Sequence, residues 1–116
     1  MTSIPFEAGI RQQPGVVTVD LHGEINSLAE AKLNSIYEEA SRNNPEILAL
    51  NFTDVSYINS TGIALIVGLL AQARKSQVRL VVFGLSKHYE EIFRITRLSD
   101  FMQIYPDESS VLAGAA

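Results

Sequence analysis

The chain has 116 residues, of which 47% are hydrophobic and 19% charged, a composition that suits one folded domain and excludes wholesale disorder. Its formal net charge of −4 argues against binding nucleic acid through the phosphates, and no run of lysine or arginine favours an anionic membrane. The absence of cysteine excludes disulfides and thiolate metal sites and is compatible with a reducing cytoplasm.

The first half of the chain predicts a β-hairpin, a helix and a buried strand. The runs IPFEAGI and VVTVDLH alternate or nearly alternate, and they flank a turn at Pro14–Gly15. Apolar residues then recur at helical spacing over 27–42, where Asn26 or Ser27 can cap the helix start. Pro45 ends this helix, and the nearly all-apolar stretch EILALNF predicts a strand buried on both faces.

The second half alternates helices with strands. A long apolar helix is predicted from Ser60 to about Lys75, followed by the buried strand VRLVVFG and a third helix in SKHYEEIFRITRL. The short strand FMQIYP and a final short helix capped by Asp107 complete the chain. The order β-β-α-β-α-β-α-β-α predicts a single α/β domain over residues 1–116, with helices packed on a mixed sheet.

Neither a signal peptide nor a membrane-spanning helix is predicted. The first 15 residues lack the basic start and apolar stretch of a signal peptide. The apolar run from Ile63 to Ala71 is much shorter than the about 20 residues that a spanning helix needs. We therefore expect a soluble, cytoplasmic protein.

Residues with catalytic or metal-binding chemistry are few. His22 and His88 lie far apart in the sequence, and no cluster of acidic residues accompanies either one. The pairs Glu38–Glu39 and Glu90–Glu91 are typical of solvated helix faces, and no glycine-rich phosphate loop is present. We therefore expect no catalytic centre, no metal and no cofactor, and we do not expect an enzyme.

The segment YINSTGIALIVG, residues 57–68, places Asn59, Ser60 and Thr61 at the start of the long apolar helix. The first N–H groups of a helix are unpaired, and each of these three side chains can cap them. One interpretation is therefore purely structural: a capping residue, followed by Gly62, which lets the helix pack tightly.

A second interpretation also takes account of the apolar run. The residues expected to cover the sheet are Ile63, Ile66, Val67, Leu70 and Ala73. Leu65 and Leu69 then fall on other faces of the helix, where charged residues would be expected. Such apolar surface indicates a docking site for another protein, or for a second copy in a homodimer, unless a neighbouring helix covers it.

A hydroxyl at the edge of a docking site can serve as a switch. Phosphorylation adds roughly −1.5 to −2 charges, which a helix N-terminus tolerates because free N–H groups and the helix dipole meet them. A partner with an apolar or acidic surface does not tolerate the phosphate, because burying an uncompensated dianion is costly.

The segment DVSYINSTGIALIV resembles the signature D-x-S-x-x-D-S-[ST]-G-[LIV] of the STAS domain, as found in bacterial anti-sigma-factor antagonists. VDLHGEIN resembles the strand-end pattern L-x-G-E-[LI]-D of the same family. Further matches, in ILALNFTDVSYIN and from VRLVVFG to the C-terminal region, extend the resemblance over nearly the whole chain. The resemblance implies a STAS fold, in agreement with the predicted element order.

The resemblance also implies a function. Ser60, with Thr61 as the less favoured neighbour, would be phosphorylated by a serine kinase that is also the anti-sigma factor, and a protein phosphatase would remove the phosphate. The unphosphorylated chain would bind the kinase and so release a sigma factor. Together with the apolar helix positions, the expected partner-binding residues are Asn26, Asn59, Ser60, Thr61, Gly62, Leu65 and Leu69.

Two positions depart from the family pattern, since Asn26 and Asn59 stand where the family usually has aspartate. Asparagine caps a helix as well as aspartate does, so the switch can survive. Alternatively, phosphorylation is slow or absent, and the chain is a constitutive binder or a STAS scaffold within a sensor or transporter. A small nucleotide- or ligand-binding module is a third alternative, which the lack of a glycine-rich loop disfavours.

Overall fold

A computed structural model of the chain describes residues 4–42 and 44–115. Residues 1–3, 43 and 116 of the predicted domain lie outside the described residues. Within the described residues, five strands form one sheet in the order β1-β2-β3-β4-β5. They are β1 Glu7–Gln13, β2 Val16–Ile25, β3 Ile47–Ile58, β4 Arg79–Phe83 and β5 Gln103–Tyr105. β1 pairs antiparallel with β2, which confirms the predicted hairpin, and all other pairs are parallel.

In the part of the chain that the structure describes, four α-helices connect or follow these strands. They are α1 Glu30–Ser41, α2 Ser60–Lys75, α3 Lys87–Ile95 and α4 Glu108–Ala115. The order of elements is the predicted one, and the predicted bounds of α2 are confirmed. The first helix begins later than predicted, because Ser27–Ala29 form a 3₁₀ turn before α1. No described helix combines the length and the apolar character that crossing a membrane requires.

β3 is longer than the predicted strand, and its extension determines where α2 begins. The parallel pairing of β2 and β3 starts at Val16 opposite Ile47 and continues to Ile25 opposite Ile58. The two strands therefore end side by side at the same edge of the sheet. The helices that follow both strands start from this edge.

The sheet has a large core on one face and a smaller one on the other. α1, α2 and α3 cover the first face, where Leu33, Ile66 and Phe93 belong to one continuous buried cluster with residues of the sheet. α4 covers the second face, where Val111 packs with strand residues. Those strand residues are Val16, Ile47, Ala49, Val81 and Phe83. The central strands β3 and β4 thus contribute buried apolar residues to both cores, as expected for strands that lie between two helical layers.

Candidate functional site

The candidate site lies at the edge where β2 and β3 end. Because Ile25 is paired with Ile58, the next residues, Asn26 and Asn59, both leave the sheet at this edge. Asn26 caps the 3₁₀ turn, since its Oδ1 accepts a hydrogen bond from the Leu28 N–H at 2.9 Å. Asn59 caps α2 in the same way, since its Oδ1 accepts from the Gly62 N–H at 2.8 Å. The capping interpretation is therefore confirmed for both asparagines.

The first turn of α2 is held tightly against the end of β2. The Asn59 N–H donates to the carbonyl oxygen of Ile25 at 3.2 Å. A Cβ atom added at Gly62 would lie 2.1 Å from the same oxygen and 2.9 Å from Cγ2 of Ile58. Real Cβ atoms do not approach a backbone oxygen so closely, so only glycine fits here. The predicted role of Gly62 in close packing is therefore confirmed, and it fixes the position of the neighbouring Ser60.

Tyr89 of α3 anchors the same strand end from the other side. Its hydroxyl accepts a hydrogen bond from the Ile58 N–H at 2.9 Å and lies 3.4 Å from the Ile58 carbonyl oxygen, to which it donates. The sequence predicts a third helix in SKHYEEIFRITRL, which contains Tyr89, but it does not predict this contact. No sequence signal indicates it, since the two residues are 31 positions apart.

Ser60 and Thr61 are exposed at the start of α2. Within the described part of the chain, neither hydroxyl has a hydrogen-bond partner, and the backbone N–H groups of both residues are also unpaired. Asn59 caps α2, so neither of the two hydroxyls is needed to cap the helix or to bond another described residue. Both are therefore accessible to a modifying enzyme.

Apolar side chains are exposed around this helix start. Leu28, in the turn capped by Asn26, is 87% exposed, and Tyr57, just before the end of β3, is 53% exposed. Val67 is 45% exposed and lies on the same face of α2 as Ser60 and Ala64, following the i, i+4, i+7 spacing. We call Leu28, Tyr57, Ser60, Thr61, Ala64 and Val67 the candidate docking surface.

The structure confirms Ile66, Leu70 and Ala73 as buried residues of α2 and corrects two other predictions for this helix. Leu69, expected on an outward face, is 1% exposed and belongs to the same buried cluster as Leu33 and Tyr37 of α1. Leu65 is half-buried against that cluster. Val67, expected to cover the sheet, is exposed instead. The reason is that α2 packs against α1 as well as the sheet, which rotates its buried stripe away from Val67.

Sequence reasoning also missed Leu28 and Tyr57. Leu28 follows the cap directly and falls outside the helical stripe formed by Ala29, Leu33 and Ile36. A leucine out of phase with the buried face of its helix was a usable signal for an exposed apolar side chain. Tyr57 gave no comparable signal, because the extension of β3 was not predicted.

A metal site and a nucleotide-binding site find little support in the structure. The described residues include no group of three His, Asp or Glu side chains placed to hold a metal ion. A pocket of about 220 Å³ lies between the end of β3 and α3. The residues around it are Phe52, Thr53, Val55, Ile58, Gly84, Leu85, Ser86 and Tyr89. These described lining residues carry no charge that could neutralise a nucleotide phosphate.

Comparisons with known proteins agree with this fold. The STAS domain model matches residues 7–111. The anti-sigma-B factor antagonist of Listeria monocytogenes is 34% identical over 88 residues, which cover 76% of this chain and 77% of that protein. An anti-sigma factor antagonist from Mycobacterium paratuberculosis has a TM-score of 0.83 at 18% identity, covering 98% of both chains. The Bacillus cell fate determinant SpoIIAA in its phosphorylated form has a TM-score of 0.67 at 18% identity, covering 92% of this chain and 96% of that one. The two structural likenesses show a shared fold.

Proposed function

Because the chain belongs to the STAS domain family, we propose that it is a cytoplasmic anti-sigma factor antagonist controlled by phosphorylation of Ser60. Its partner is a serine kinase that also acts as the anti-sigma factor. The unphosphorylated chain binds this kinase and so releases a sigma factor, and a protein phosphatase restores the unphosphorylated form. The chain is thus a substrate and binding partner and does not itself catalyse a reaction.

The observation that carries this proposal is the exposed hydroxyl of Ser60. It has no hydrogen-bond partner in the described chain and lies at the border of an apolar surface. Ser60 lies on the candidate docking surface, where Leu28 and Tyr57 are more than half exposed. A partner that covers these apolar side chains must also cover Ser60. A phosphate on Ser60 would then be buried in an apolar interface, which is unfavourable without counter-charges.

The fold itself tolerates the phosphate. Ser60 is the first residue of α2, and the unpaired N–H groups of Ser60 and Thr61 are available to phosphate oxygens. The helix dipole adds a favourable contribution of typically 0.3–1 kcal/mol for a negative charge at this end. Phosphorylation is therefore expected to weaken partner binding and to leave the domain folded.

The two asparagines that depart from the family pattern support retention of the switch. Asn26 and Asn59 both use Oδ1 as the capping atom, and aspartate would offer an equivalent oxygen. The loss of two negative charges changes the electrostatics beside Ser60 and leaves the backbone geometry of the helix start intact. We therefore propose that Asn59 does not prevent phosphorylation.

The test is intact mass spectrometry after incubation with candidate anti-sigma kinases and ATP. We expect one added phosphate that maps to Ser60, and Ser60→Ala should remove it while retaining kinase binding. Ser60→Asp should weaken kinase binding by about tenfold or more, since an unpaired charge buried in an interface costs at least about 1.4 kcal/mol.

Ser86 offers a matched control, because it is an exposed serine at the start of another helix, α3. Ser86→Asp should leave kinase binding unchanged, and Asn59→Asp should leave the phosphorylation rate of Ser60 unchanged. Phosphate on Thr61, or no phosphate with the cognate kinase present, would contradict the assignment of Ser60. A much faster reaction of the Asn59→Asp variant would show that Asn59 impairs the switch.

A further inference from the structure

A groove at the opposite end of α2 carries chemistry that the Ser60 site does not use. It has a volume of about 310 Å³ and lies between the last turns of α2, the start of β4 and the segment 99–103. We call it the basic groove, and its lining includes Leu70, Arg74, Val78, Arg79, Asp100, Phe101 and Gln103. The carboxylate of Asp100 is paired with Arg97. Since a helix rises about 1.5 Å per residue, the groove is roughly 20 Å from Ser60.

The two arginines that line the groove, Arg74 and Arg79, belong to a basic segment of an otherwise acidic chain. Six of the nine lysine and arginine residues fall between positions 74 and 97, although the net charge is −4. Arg94 and Arg97 are paired with Glu91 and Asp100. In contrast, the ion pairs among the described residues include neither of the groove's own arginines.

Both groove arginines are held in place by neutral groups. The Arg79 guanidinium donates to the Gln103 side chain and to the Tyr105 hydroxyl. The Arg74 guanidinium lies over the Phe101 ring, with Cζ 5.1 Å from the ring centroid. These contacts orient the guanidinium groups without neutralising them. Their fork of N–H donors matches the geometry of a carboxylate.

An exposed aromatic side chain accompanies these charges. Phe101 is 56% exposed, whereas Leu70 and Val78 form a buried apolar floor beside it. Arginine and aromatic residues are enriched in the cores of protein interfaces. The groove therefore combines an apolar contact area with two carboxylate-binding groups.

We propose that the basic groove binds an acidic segment of a partner protein. Carboxylates of that segment pair with Arg74 and Arg79, and an apolar side chain packs against Phe101. Surface binding to anionic membranes relies on clusters of about four to eight free basic groups, and Arg94 and Arg97 are already neutralised here. Because the groove is remote from Ser60, its occupation does not depend on the phosphorylation state, and two partners can bind at once.

The test uses a fluorescent peptide in which glutamate alternates with serine around a central leucine. We expect it to bind the wild-type chain, to weaken with added salt, and to shift the backbone amide resonances of Arg74, Arg79, Phe101 and Gln103. The double substitution Arg74→Glu, Arg79→Glu should weaken binding by about tenfold or more. Phe101→Ser should weaken it by a smaller factor.

Three controls make the outcome decisive. Arg42→Glu changes an exposed arginine outside the groove and should leave peptide binding unchanged, as should Ser60→Asp. A peptide with glutamine in place of glutamate should not bind. Equal binding of the glutamine peptide, binding that survives the double substitution, or binding abolished by Ser60→Asp would overturn the proposal.

A further measurement, binding to lipid vesicles, distinguishes a protein partner from a membrane surface. Binding to vesicles of phosphatidylserine and phosphatidylcholine, in the absence of peptide binding, would also overturn the proposal. Phosphorylation of Ser60 is measured in the same samples by intact mass. If the peptide does not bind the groove, the proposed phosphorylation of Ser60 is not contradicted. If Ser60 is not phosphorylated, the proposed binding at the groove is not contradicted.

Discussion

At the scale of single residues, the geometry of the candidate site depends on three residues. Two of them, Asn59 and Gly62, could be identified from the sequence, and the third, Tyr89, could not. Asn59 and Gly62 were predicted because caps and glycines have local signatures near a helix start. Tyr89 was missed because its bond to Ile58 depends on how α3 packs against the sheet. Local chemistry can be predicted from sequence, and contacts between distant residues cannot.

Gly62 provides the sharpest prediction at this scale. Gly62→Ala should lower the free energy of unfolding by about 1–3 kcal/mol or more, because the new methyl group would overlap the Ile25 carbonyl oxygen. Chemical denaturation followed by circular dichroism measures this loss. The variant should also lose kinase binding if the start of α2 moves away from β2.

Gly68 is the matched control within the same helix. A Cβ atom added there meets no atom within 4 Å, so Gly68→Ala should raise the free energy of unfolding by about 0.5–1 kcal/mol through helix propensity. Equal destabilisation by the two substitutions would show that a general intolerance of α2, and not the Ile25 contact, explains the effect.

At the scale of elements, the type and order of helices and strands could be predicted, but the buried side of α2 could be predicted only in part, since Leu69 and Val67 were assigned to the wrong sides. Its run from Ile63 to Ala71 is apolar on nearly all sides, so periodicity alone does not decide which side faces the sheet. The packing of α1 against α2 determines which residues of α2 are buried, because α1 covers Leu69. The same contact leaves Val67 exposed.

This orientation predicts opposite effects for two neighbouring substitutions. Leu69→Asp should unfold the domain, because it places a carboxylate in the core and removes a buried leucine, whose replacement by alanine alone costs about 2–5 kcal/mol. Val67→Asp should leave the circular dichroism spectrum unchanged and weaken kinase binding. A folded Leu69→Asp variant, or full kinase binding by Val67→Asp, would contradict the orientation of α2.

At the scale of the whole molecule, the packing of α4 on the sheet is reinforced by an ion-pair network that the sequence does not indicate. The Arg11 guanidinium donates to Asp20 of β2 at 2.6 Å and to Glu108 of α4 at 2.9 Å. It therefore connects the first hairpin to a helix 97 positions away. Arg11 lowers the pKa of both carboxyl groups, chiefly through these hydrogen bonds.

The lowered pKa values predict how stability depends on pH. A carboxyl group with a lowered pKa in the folded state stabilises the fold above its unfolded pKa, about 3.9 for Asp and 4.3 for Glu, and loses that contribution as pH falls further. Arg11→Gln should therefore lower the free energy of unfolding by about 1–2 kcal/mol at pH 7, and the difference from wild type should shrink between pH 5 and pH 3. Urea denaturation over this range measures both quantities.

Lys32→Gln, which removes an exposed pair with Glu7, should have little effect at either pH. A difference between Arg11→Gln and wild type that stays constant down to pH 3 would show that Arg11 stabilises the two layers through packing alone and not through its charge.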